Sequence, residues 1–132
     1  MRLDVQKRYL NGVIIFDCSG PLDSAGGANL REAIVRVFEE GHHAILLNCG
    51  GIGPIDSSGL GELVSAYASV VRRGGAVHLL RPGARLAVLL EQTGLDTLFE
   101  THMTEQAAVG SFNAAGAARS KRQLTDYLSG GS

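Results

Sequence analysis

The chain has 132 residues, 45% of them hydrophobic and 19% charged, with a formal net charge of −1. That is enough for one domain with a real core, and it gives no bulk electrostatic pull toward nucleic acid or an anionic membrane. No run approaches the ~18 apolar residues of a membrane span, and Met1-Arg2-Leu3-Asp4 lacks a signal-peptide core, so a cytoplasmic chain without membrane insertion is the expectation.

Leu3 to Tyr9 alternates imperfectly and reads as an edge strand with charges toward water. Asn11-Gly12 is a strong hairpin signal, because a type I′ turn needs positive φ at both central positions. Gly12-Val13-Ile14-Ile15-Phe16 returns as a more buried strand that closes at Ser19-Gly20-Pro21. Ser24 to Glu40 carries Leu30, Ile34, Val37 and Phe38 at helical spacing, with Gly41 as its stop. Ala44-Ile45-Leu46-Leu47 is continuously apolar, as a central parallel strand is. Leu60 to Val71 spaces Leu63, Val64, Tyr67 and Val70 as one helical stripe, ending at Arg72-Arg73-Gly74-Gly75.

Ala76 to Leu80 is the next strand, and Arg85 to Thr93 a short helix stopped by Gly94. Leu98-Phe99-Glu100-Thr101 reads as the last strand. Thr104 can cap a final helix to about Ala115, with Ala108 and Phe112 inward. After Gly116 the pattern dissolves. The expectation is one α/β domain over 1–116 and a flexible tail over 117–132. Its sheet has about five mostly parallel strands, the first an antiparallel hairpin edge, and about four helices lie mainly on one face.

Pro54-Ile55-Asp56-Ser57-Ser58-Gly59-Leu60-Gly61 joins the central strand to the second helix. Two adjacent hydroxyls there fall at or near a helix N-terminus, where free N–H groups and the dipole favour an attached phosphate. Gly59 and Gly61 leave Ser58 open to a large partner. Alternatively, Asp56 or Ser57 only caps the helix and the glycines permit close packing.

Other chemistries fit the spacing poorly. Neither serine sits in G-x-S-x-G, and no histidine stands out as its base. Gly51-x-Gly53 lacks the third glycine of a dinucleotide loop, and no P-loop pattern occurs. Cys18 and Cys49 end apolar runs and read as reduced, buried hydrophobes. Asp17, Asp23 and Asp56 are scattered, His42-His43 reads as solvated loop, and His78 as a satisfied interior residue, so neither metal nor cofactor is expected. What remains is a protein that receives chemistry instead of performing it.

The run Ile55 to Gly61, with Arg72-Arg73-Gly74-Gly75 closing its helix, resembles the STAS domain of bacterial anti-sigma factor antagonists. Ser19-Gly20-Pro21-Leu22-Asp23, Val77-His78-Leu79-Leu80 and Leu90-Glu91-Gln92-Thr93-Gly94-Leu95 agree with it, and the likeness runs from Leu3 to Ala115. The resemblance implies a non-enzymatic switch. An anti-sigma factor that is itself a serine kinase phosphorylates Ser58, the unphosphorylated form binds that kinase and frees sigma, and a metal-dependent serine phosphatase restores it. Asp23, Asp56, Ser57, Ser58, Gly59 and Gly61 are the expected partner-binding residues, with Ser57 expected to turn its hydroxyl back as the N-cap. In a parallel sheet the strand-to-helix loops 19–24 and 50–58 share one rim, which puts Asp23 near Ser58, and Arg81 in the next loop flanks the other side as a further partner-binding residue. A STAS-type scaffold subunit of a stress-signalling complex, or a small partner of a transport ATPase, is the alternative. Asn48-Cys49, where the family carries an Asp-containing segment, and the Gly-rich stretch 50–53 before Pro54 depart from the pattern.

Overall fold

A computed structural model describes residues 1–130. Strands β1 (Asp4–Leu10) and β2 (Val13–Leu22) form the hairpin, turning through Asn11 and Gly12 at φ 50° and 79°. There follow α1 (Ser24–Glu39), β3 (Ala44–Ile55), α2 (Ser57–Val71), β4 (Ala76–Leu80) and α3 (Gly83–Gln92). Next come β5 (Thr101–His102), α4 (Glu105–Gly110) and α5 (Ala114–Leu128). The sheet order is β1-β2-β3-β4-β5, with β1 antiparallel to β2 and every other pairing parallel. Sequential parallel strands joined by helical crossovers put α1 and α2 on one face, as right-handed crossovers require.

The pleat sends alternate residues to opposite faces and so makes two cores of unequal depth. Ile14, Phe16, Ile45, Leu47, Val77 and Leu79 meet α1, α2 and α3 in the main core. Val13, Ile15, Leu46 and Leu80 face the other way and are covered by Ala108 of α4, with Val109 and Phe112 at the margin.

Three elements differ from the sequence reading. The last strand begins at Thr101, not Leu98, because Leu98 and Phe99 are drawn into the main core. There the Tyr67 hydroxyl donates to the Leu98 carbonyl at 2.9 Å, and the Tyr67 and Phe99 rings lie 4.5 Å apart. The expected final helix is two: α4 stops at Gly110, and Asn113, with extended backbone, starts α5 by accepting the Gly116 N–H at 2.7 Å. Where a tail is expected over 117–132, α5 runs to Leu128 and buries Leu124 in the main core. The last two residues of that stretch lie outside the described residues.

A polar clamp fastens α4 over the thin face. Arg8 on β1 donates to Asp17 on β2 at 2.6 and 3.2 Å and also to Glu105 on α4. Asn48 on β3 donates to Asp17 at 2.8 Å. The hydrogen bonds from Arg8 hold both carboxyls below the usual carboxylate range, and the two carboxylates hold the guanidinium proton more tightly. Farther along the same face His78 is buried, and desolvation pushes its imidazolium pKa down to about 4 while Glu100 pulls the other way.

Lowered folded-state pKa values give Asp17 and Glu105 a stabilising contribution that is present above their unfolded values and lost as pH falls through the folded ones. Urea unfolding of Arg8→Met should therefore show a shallower loss of stability below about pH 4 than the parent chain. At neutral pH the cost should stay near 1 kcal/mol, because side chains a third or more exposed are screened. Parallel acid limbs would show that the clamp has no energetic role.

Candidate functional site

Leu22 and Ile55 are paired neighbours at the ends of β2 and β3. The stretches expected as loops, 19–24 and 50–58, are mostly strand: Ser19 pairs with Gly51 and Gly20 with Ile52, across two register shifts. Each strand then passes to its helix through a single aspartate. Asp23 caps α1, its Oδ1 accepting the Gly26 N–H at 2.8 Å; Asp56 caps α2, its Oδ1 accepting the Gly59 N–H at 2.8 Å. Two identical Asp-x-x-Gly caps therefore stand side by side on the C-terminal rim of the sheet.

Asp56, not Ser57, is the N-cap, since the carboxylate already holds the third helical N–H. Ser57 and Ser58 become the first two helical residues, both exposed, and their N–H groups have no intrahelical acceptor. Among the described residues neither hydroxyl makes a hydrogen bond. The two thiols are unsuited to attack: burial pushes Cys18 up to about 12 and Cys49 higher still.

The two glycines beside Ser58 differ. A Cβ on Gly59 would stand 1.9 Å from the Leu22 carbonyl oxygen and 3.0 Å from the Asp23 nitrogen. That carbonyl also accepts the Asp56 N–H at 3.3 Å. Gly59 is thus a contact residue, seating α2 on the β2–α1 junction next to Asp23. Gly61 has nothing within 4 Å of a Cβ and lies exposed. Gly27 of α1 completes the contact, its Cβ direction meeting the Gly59 carbonyl at 3.0 Å, and Arg31 joins Glu62 across the two helices at 2.6 Å.

Arg81 follows β4 on the other side of β3, in a left-handed conformation at φ 49°. Its N–H donates to the His102 carbonyl at 2.8 Å. Its side chain lies by Gly50 and adds to the lowering of the Glu105 pKa, so it faces the clamp. Between β3 and α3 runs a cleft of about 450 Å³, bounded by the segment from Ile52 to Ile55 and by Pro82 to Leu86. It continues past Ile55 and Arg85 to Val88, which is 51% exposed. Sequence reasoning missed this groove. The exposed Val88, off the inward stripe of Leu86, Leu89 and Leu90, was its one signal.

The STAS domain family model matches residues 4–108. Among curated proteins the chain is similar to the anti-sigma-B factor antagonist of Bacillus subtilis, 28% identical over 83% of this chain and 99% of that one. Among solved structures it resembles an anti-sigma factor antagonist of Mycobacterium paratuberculosis, with TM-score 0.70 and 22% identity over 83% of this chain and 92% of that one. It also resembles the Bacillus cell fate determinant SpoIIAA in its phosphorylated form, with TM-score 0.65 and 21% identity over 81% and 97%.

The glycine contact is testable by a matched pair. Gly59→Ala should destabilise by about 1–3 kcal/mol or more, since backbone on both sides must move. Gly61→Ala should stabilise by up to about 1 kcal/mol through helix propensity. Denaturant unfolding compares them, and equal effects would remove Gly59 from its role as the seat of α2.

Proposed function

This chain belongs to the STAS domain family, and from that membership we propose that it is an anti-sigma factor antagonist controlled by phosphorylation of Ser58. The observation that carries the proposal is the exposed Ser58 at the second position of α2, whose neighbour Gly59 abuts the Leu22–Asp23 backbone. The names of the similar proteins supply the partner class, an anti-sigma factor.

A phosphate on Ser58 adds about −1.5 to −2 charges. At a helix N-terminus the unpaired N–H groups and the dipole stabilise it, so the domain tolerates the modification. The cost falls on the partner. Asp23 and Asp56 already give this rim negative charge, and a phosphate between them changes its potential and fills the space over Gly61. The unphosphorylated rim docks the anti-sigma factor, which is also the serine kinase, and a serine phosphatase resets it. The chain itself catalyses nothing in this cycle.

Ser58 is preferred over Ser57 because Gly61, one turn above, leaves its approach open. Mapping of kinase-treated protein should place phosphate on Ser58 and find none on Ser58→Ala, which should bind the kinase persistently. Phosphate found solely on Ser57 would overturn the assignment. Asp23→Asn keeps a capping oxygen, so Tm should hold, whereas kinase affinity should fall by about 1–3 kcal/mol if the carboxylate makes a charged contact. Unchanged affinity at matched Tm would leave Asp23 with capping alone.

A further inference from the structure

On the thin face of the sheet, away from Ser58, three donor atoms converge that the switch does not use. His78 lies on β4, Glu100 just before β5 and His102 on it, and one ligating atom from each falls within 4.8 Å of the others. His78 Nε2 is 3.0 Å from Glu100 Oε2, and His102 Nε2 is 3.5 Å from Glu100 Oε1. His78 is 2% exposed, and its Nε2 and that of His102 are buried with no hydrogen-bond partner. Two orphaned imidazole nitrogens beside one carboxylate call for an explanation, because buried polar atoms are almost always satisfied.

The hydrogen bonds on the far side of the His78 ring fix what its Nε2 presents. Ser111 Oγ donates its one proton to the Ala108 carbonyl at 2.6 Å. It can therefore only accept from His78, whose Nδ1 lies 2.7 Å away and must carry the ring proton. In the neutral ring Nε2 is then a bare lone pair, held in place by Ser111 and by Phe112 stacked on the ring at 4.0 Å and 11°. Two acceptors, Nε2 and the carboxylate, face one another.

Direction distinguishes a shared proton from a shared cation. A proton needs the nitrogen to point at the oxygen; a cation needs it to point beside the oxygen, toward the apex of a triangle. With metal–ligand bonds of about 2.0–2.1 Å, that apex lies roughly 40° off a 3.0 Å N···O line. The pair stands 3.0 Å apart with no hydrogen bond between its atoms, as two acceptors gathered around a shared cation would.

We propose that His78 Nε2, His102 Nε2 and the Glu100 carboxylate bind a divalent transition cation of the zinc class. Two imidazoles and a carboxylate suit Zn²⁺ better than Mg²⁺ or Ca²⁺, which prefer all-oxygen shells. The His78–Ser111–Ala108 relay is the outer shell that orients the first ligand. Glu100 is 39% exposed, so a fourth position opens to water. The cation ties β4 to β5 and, through Ser111 and Phe112, to the α4–α5 junction. The inference is independent of the phosphorylation switch.

The test uses the untagged full chain, stripped with chelator and titrated with Co²⁺ alone and with Zn²⁺ alone. One equivalent of Co²⁺ should develop visible d–d bands that Zn²⁺ abolishes, and Zn²⁺ should raise Tm. Glu100→Gln and His102→Ala, both at partly exposed positions, should each weaken Zn²⁺ at least tenfold, and Ser111→Ala about 10–100-fold. His42→Ala with His43→Ala should leave affinity unchanged. No Co²⁺ bands, or Zn²⁺ affinity equal to the parent in both Glu100→Gln and His102→Ala, would overturn the site.

Discussion

The bare Cα of Gly59 pressed against the carbonyl of Leu22 sets the geometry on which the candidate site depends. Because no side chain separates them, α2 begins directly over the end of β2, and the same carbonyl takes the N–H of Asp56. Gly27 lets the flank of α1 close on the Gly59 carbonyl in turn. Two helix N-termini that could have diverged are locked together, with their aspartate caps adjacent and their first residues facing one way. Positive dipole ends gathered on one rim make a surface that tolerates added negative charge, which is what a phosphorylation switch needs from its scaffold.

The two faces of the sheet do different work. The face under α1, α2 and α3 holds the deep apolar core on which the rim is built. The face under α4 has a handful of buried apolar residues and relies on polar fastenings, from Arg8 with Asp17, Asn48 and Glu105 at one end to His78 with Ser111 at the other. A six-residue helix buries too little to hold itself by area alone, so directional contacts carry more of its attachment. The proposed cation would add one more fastening where β5 contributes only two paired residues.

Much of this was legible in the sequence where local and global signals agree. Asn11-Gly12, the helical stripes of α1 and α2 and the apolar run of β3 each named their element, and Asp56 stood among the possible caps. The misses share a cause. The segment Gly50 to Pro54 has loop composition but is strand, because Ser19 and Gly20 opposite it supply a pairing edge that no local rule reports. Helix α5 shows the main core little besides Leu124, so its periodicity is faint against an alanine-rich background. His78 and Glu100 are far apart in sequence, and only the pairing of β4 with β5 brings their side chains to one place. Gly59 was read both as an opening and as a packing residue; the contact with Leu22 identifies it as packing, and Gly61 as the opening.

If the rim is a rigid platform, phosphorylation changes what a partner meets and leaves the fold alone. Backbone amide NMR spectra of the ¹⁵N-labelled chain before and after stoichiometric phosphorylation test this most directly. The account predicts shifts confined to Asp56–Gly61 and to the abutting Leu22–Gly27, with the amides of Leu46, Val77 and Val70 unmoved. Shifts spreading through those core strands and helices would contradict it, and would mean that the switch works by rearranging the domain.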